Sequence, residues 1–131
     1  VDIDASLAES RAAETGGERL RAFIAAWGGH IPVISPVGRA LMAMMETDAE
    51  ARAAWENRMA AVRHGCAAAV AALARDGDLR PDLTQERATD LLAGLLSVSL
   101  WAHLTRDCGW SQDAFIAEIT QLAHKALMSR G

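Results

Sequence analysis

The stretch TQERATDLLAGLLSVSLWAHLTR, residues 84–106, decides the reading of this chain. Thr84 suits an N-cap and Glu86 favours the positive end of a helix dipole, so a helix is expected to start here and run to about Arg106. At about 100° per residue, Ala88, Leu91, Leu92, Leu95, Val98, Ser99 and Ala102 gather on one face. The other side opens with Glu86 and Asp90, continues with small Ala93, Gly94 and Ser97, and ends with Leu100, Trp101 and Leu104. A helix apolar on two sides is expected to be covered on two sides. The first face is assigned to the chain's own core. The second lets another helix approach closely at its small residues and fills the wedge beyond with large ones, which suits a second subunit.

Outward from this segment the pattern stays helical. Cys108-Gly109-Trp110 reads as a turn, and Ser111 caps a last helix ending near Met128. Its apolar set, Phe115, Ile116, Ile119, Leu122, Ala123, Ala126 and Leu127, spans roughly 140° of arc, wide for one packing partner. Upstream, Thr47-Asp-Ala-Glu50 has the capping-box pattern and opens the longest helix, roughly 48–76, with Trp55, Met59, Val62, Cys66, Val70 and Leu73 on one face. Gly77 stops it, and Asp78 to Leu83 is a loop around Pro81. Before it, Ser35-Pro36 reads as N-cap and first helical residue of a helix holding Val37, Leu41, Met42, Met44 and Met45. His30 to Ile34 is expected to be extended, because a proline disfavours helix in the residue before it. Glu18 to Trp27 is a helix with Leu20, Phe23, Ile24 and Trp27 on one face, ended by Gly28-Gly29. Residues 4–14 form a short helix broken by Thr15-Gly-Gly. The expected fold is all-α, a bundle of about six helices without strands. Its last two helices and their symmetry mates form an intersubunit four-helix bundle. The competing arrangement places both helices centrally in a monomer.

Composition narrows the function classes. The 131 residues fit one domain with one core. Hydrophobic residues make up 51% and charged ones 23%, which argues against disorder. The longest uncharged apolar stretch, Leu91 to Ala102, falls short of the roughly 20 residues that a bilayer span needs, so no membrane association is expected. The acidic opening Val1-Asp-Ile-Asp lacks the positive start of a signal peptide, and Cys66 and Cys108 match no metal or redox spacing, so a reducing cytoplasm is the expected compartment. The net charge of −4 argues against direct nucleic-acid binding. His30, His64, His103 and His124 form no His-x-x-x-His or Glu-x-x-His pair. No phosphate loop or supported Ser/His/Asp order is present. Neither a catalytic residue, a metal nor a cofactor is therefore expected. Cys66, on an apolar stripe, reads as a small buried hydrophobe.

The run Asp76-Gly77-Asp78-Leu79-Arg80-Pro81-Asp82-Leu83-Thr84, then Ala88 and Asp90-Leu91-Leu92, then Cys108-Gly109-Trp110-Ser111 and Phe115, resembles the end of a TetR-family transcriptional regulator. The segment Trp55 to Cys66 resembles the long central helix of that family. The resemblance lies in order and spacing along nearly the whole chain. It implies a C-terminal ligand-binding and dimerisation domain, with the last two helices as the homodimer interface. The family's basic N-terminal helix-turn-helix domain has no counterpart here, so DNA is expected to be reached only through such a domain.

The resemblance also implies a ligand between the central helices. The positions expected to bind it are Trp27, Met42, Met45, Trp55, Met59, Arg63, Cys66, Leu95, Ser99 and His103, with Leu41, Val62, His64 and Trp101 as further wall or orienting groups. Met adapts its shape and Trp offers a flat face, which suits a small apolar or aromatic effector. A Met and Trp stripe at helical spacing is equally what a core uses. The expected interface residues are Ala93, Gly94, Ser97, Leu100, Trp101, Leu104, Phe115, Ile119 and Leu122. The alternative is a stand-alone helical dimerisation or interaction module without ligand sensing, which predicts a filled interior. A small enzyme would instead show a polar pocket with perturbed ionisable groups.

Overall fold

The structure is a computed structural model that describes residues 7–8 and 11–129. Among these the chain is all-α: α1 (Gly16–Met44), α2 (Ala49–Arg75), α3 (Gln85–Leu95), the short α4 (Val98–Ala102) and α5 (Gln112–Leu127). A π-helical turn, His103–Asp107, continues α4. The short helix expected over 4–14 falls partly outside the described residues; Leu7, Ala8, Arg11 and Ala12 are helical.

The helices expected over Glu18 to Trp27 and after Ser35-Pro36 are one. α1 runs unbroken through Gly28-Gly29, Pro32 and Pro36, where a stop, an extended link and a new N-cap were expected. Thr15 starts it with a reciprocal capping box: Glu18 N–H donates to the Thr15 hydroxyl at 3.1 Å, and Thr15 N–H donates to the Glu18 carboxylate at 3.3 Å. The second reason is tertiary. Pro32 has no N–H to offer the Gly28 carbonyl, four residues back. The Gln112 side-chain amide donates to that carbonyl instead, at 3.0 Å, and its oxygen accepts the Trp101 indole N–H at 2.8 Å. Gly28 serves close approach. A Cβ there would collide with the Ile116 side chain of α5.

α1 and α2 form an antiparallel hairpin. Gly16 sits against the Ala72–Leu73 backbone, and its N–H donates to the Asp76 carboxylate at 2.5 Å. Phe23 lies on Gly65, and Trp55 on Gly38. Asp48, rather than Thr47, caps α2, its carboxylate accepting from the Glu50 and Ala51 N–H groups.

The expected continuous helix over 84–106 is broken. Leu96 leaves helical geometry and Ser97 is extended, its hydroxyl accepting the Leu100 N–H at 3.1 Å as N-cap of α4. Serine favours this because its hydroxyl replaces a helical backbone bond. The core face of α3 differs as well. Ala88, Thr89, Leu92 and Leu96 are buried, whereas Leu91 is 45% exposed. The Thr89 hydroxyl stays satisfied by donating to the Gln85 carbonyl at 2.8 Å. The core therefore joins Leu20, Phe23, Ile24 and Ile31 of α1, Val62, Cys66, Val70 and Leu73 of α2, Leu92 and Leu96, Trp101, and Phe115, Ile119, Ala123 and Leu127 of α5.

Two closures hold the C-terminal half. Gly109, at φ +78°, turns the chain between the π turn and α5, and the Trp110 N–H donates to the Leu104 carbonyl at 2.9 Å. The loop after α2 docks on the end of α5: the Arg80 N–H donates to the Leu127 carbonyl at 2.8 Å and its guanidinium to the Ala126 carbonyl at 2.7 Å.

Candidate ligand-binding site

The break between α3 and α4 opens onto a cavity of about 160 Å³. Trp27 of α1, Met59, Val62 and Arg63 of α2, and Ala93, Leu96, Ser97 and Val98 of the α3–α4 junction line it. An apolar cavity near 150 Å³ accommodates benzene, so this one has room for about a single aromatic ring. Its wall is mostly apolar. Arg63 stands at the edge, held by an ion pair to Asp90 at 2.7 Å. Both partners of that pair are about half-exposed, so it orients the side chain more than it stabilises the fold.

Of the ten expected ligand positions, Trp27, Met59 and Arg63 line this cavity and the other seven do not. Cys66 lies wholly in the core, where loss of solvation pushes its thiol up to about 12 against a smaller opposing pull from Arg63. Met42 accepts a contact from the Ser99 hydroxyl at 3.8 Å, away from the cavity. The Met45 carbonyl accepts from Arg52 at 3.0 Å near the end of α1. Trp55 covers Gly38, and Leu95 is half-buried. His103 and Ser99 are exposed, and the His103 ring lies 3.6 Å from the Asp107 carboxylate and 3.7 Å from the Cys108 sulfur.

The expected pairing residues divide in three. Trp101, Phe115 and Ile119 are inside the chain's own core. Ala93 and Ser97 face the cavity. Leu100 and Leu104 are half-buried, while Gly94 and Leu122 are exposed, with open space around Gly94. Trp101 also carries the Arg106 guanidinium 5.9 Å from its ring centre.

A second, larger cavity of about 280 Å³ lies between α1, α2 and the segment before α1. Its wall comprises Leu7, Arg11, Arg19, Phe23, Trp27, Ala61, Val62, His64, Gly65 and Ala68. Trp27 and Val62 belong to both cavities. Phe23 read only as a core residue in the sequence, and the two arginines carried no signal there. Their convergence depends on the antiparallel pairing of α1 with α2.

Among the described residues no cluster of three His, Cys, Asp or Glu could hold a metal, and no helix is long and apolar enough to cross a membrane. Comparison with known proteins finds no family model, no curated protein and no solved structure that matches the chain.

Proposed function

We propose that this chain is the effector-binding and homodimerisation domain of a TetR-like bacterial transcriptional regulator, working in the cytoplasm and passing its signal to an attached DNA-binding domain. The observation that carries the reading is the cavity at the α3–α4 break, lined by Trp27, Met59, Ala93 and Ser97. A small apolar or aromatic ligand there would touch the end of α3 and the cap of α4 together. It would favour one arrangement of these segments, shifting the equilibrium only by its differential affinity for the two states. A coupling of about 1–3 kcal/mol is typical. In a dimer the consequence is a changed spacing of two DNA-reading units, set for half-sites about 34–36 Å apart or a multiple.

Pairing through the outer faces of α3 and α5 is supported by exposed Leu91 and Leu122 and by the open surface at Gly94. Trp101, Phe115 and Ile119 leave this surface, because the core already occupies them. A pairing module without a ligand has no use for either cavity.

The test is calorimetric titration with single-ring and indole probes: benzene, phenol and indole. Binding of at least one is expected, and Ala93→Leu, which fills the cavity from α3, abolishes it. No binding by any probe, or equal binding by Ala93→Leu, would overturn the ligand role.

A further inference from the structure

The π-helical turn His103–Asp107 assembles three chemically active side chains that take no part in either cavity. A turn of this kind bonds residue i to residue i+5, and here the Cys108 N–H donates to the His103 carbonyl at 3.0 Å. Cys108 is thereby set beside His103, where an α-helix at 100° per residue would carry it about 140° away. The Cys108 sulfur lies 3.7 Å from His103 Nε2. The other ring nitrogen, Nδ1, lies 3.6 Å from the Asp107 carboxylate. Thiol, imidazole and carboxylate thus stand in the order of nucleophile, base and orienting group. All three are exposed, so a small reagent in solution reaches the sulfur directly. The backbone around the sulfur narrows the chemistry. Acyl transfer needs N–H donors aimed at an oxyanion. The Cys108 and Trp110 N–H groups are instead engaged by the His103 and Leu104 carbonyls. Addition to a polarised carbon–carbon double bond has no leaving group, and water at an open site solvates the enolate it forms.

We propose that Cys108 is a covalent capture site for small α,β-unsaturated carbonyl electrophiles, with His103 as its base and Asp107 as a positioning residue. His103 Nε2 takes the thiol proton as the sulfur attacks the β-carbon. The S–H bond breaks, the S–C bond forms, and the π electrons of the double bond move onto the carbonyl as an enolate. The imidazolium then returns the proton to the α-carbon. The product is a thioether, and no oxidant, reductant or cofactor enters the balance. Asp107 beside Nδ1 orients the ring and stabilises the imidazolium while it holds the proton. The site is separate from the cavity at the α3–α4 break and does not require pairing.

The test follows adduct formation with N-ethylmaleimide at neutral pH by intact-mass spectrometry of the native chain. One adduct is expected, mapped to Cys108, and it forms about tenfold faster than the adduct of glutathione under the same conditions. That factor lies below the roughly 10²–10⁴-fold of general-base assistance because the groups are open to water. His103→Ala, a change at an exposed position that circular dichroism should show folded, brings the rate down to that of glutathione. Added imidazole restores part of the loss in His103→Ala and leaves the unsubstituted chain unchanged, which a structural role of the ring would not produce. Asp107→Asn slows the reaction by a smaller factor, and has no effect once His103 is alanine, because it acts through that ring. A rate no greater than that of glutathione overturns the proposal. So does a rate untouched by His103→Ala, a loss that imidazole fails to restore, or an Asp107→Asn effect that persists without His103.

Discussion

Gln112→Leu removes one side chain and strands two groups from different parts of the fold. The Trp101 indole N–H loses its acceptor at 2.8 Å, and the Gly28 carbonyl loses its donor at 3.0 Å. That carbonyl has no replacement within its own helix, since residue 32 is a proline. A buried polar group left unpaired costs about 1–3 kcal/mol. Gln112 itself is half-buried, so the two together are expected to cost about 2–4 kcal/mol. At roughly 2.1 cal/mol/K per residue of unfolding entropy, a chain of this length loses about 7–14 °C in Tm. Circular dichroism melting and urea titration measure both quantities. The discriminating step is a cycle with Pro32→Ala, which restores an N–H four residues after Gly28. In that background Gln112→Leu is expected to cost about 1 kcal/mol less, because the carbonyl has an intrahelical donor again. Equal costs in both backgrounds would refute the reasoning that Gln112 stands in for the missing proline N–H.

Four further outcomes follow from the packing. Native protein should expose one thiol to a disulfide reagent, Cys108, and a second, Cys66, only on unfolding. Cys66 also adds a pH dependence: its folded value is raised to about 12 from an ordinary 9, so the folded state holds a proton that the unfolded state releases. Stability therefore falls as pH rises above about 9, by up to about 1.4 kcal/mol per unit, and Cys66→Ala should flatten that limb of a urea–pH series. Gly16→Ala drives a methyl group to within 3 Å of the Ala72–Leu73 backbone, which cannot swing aside as a side chain can, and should cost about 1–3 kcal/mol by chemical denaturation. Ser97→Ala removes the cap of α4 and should cost about 1 kcal/mol, read by the same titration, with amide exchange accelerating at Leu100.

The helical class and several boundaries were legible because they obey local rules. Gly77 and Gly109 stand at positive φ where turns were expected, and Thr84 and Ser111 cap their helices through side-chain oxygens. The continuity of α1 was not legible. Gly28-Gly29 and the two prolines oppose a helix locally, and the donor that offsets Pro32 comes from a glutamine 84 residues away from Gly28. The α3–α4 break was hidden for the opposite reason: the apolar pattern continues across Leu96-Ser97, and only the hydroxyl of Ser97 distinguishes a cap from a small packing residue. Leucines at 91, 92, 95 and 96 left the buried face of α3 undetermined, because apolar side chains surround the helix on more than one side. Trp27, Met59 and Arg63 were readable as cavity residues. Met42, Met45 and Trp55 looked the same in sequence, since a core and a cavity draw on the same apolar side chains.

Pairing and ligand capture together define the proposed role, and the first is the more exposed to a single measurement. Native mass spectrometry of the purified chain at micromolar concentration should give a dimer. Gly94→Leu should convert it to a folded monomer, because position 94 has open space within the chain and helical backbone that a leucine tolerates. A wild-type chain that is monomeric under these conditions, or a Gly94→Leu chain that remains dimeric, would contradict the account.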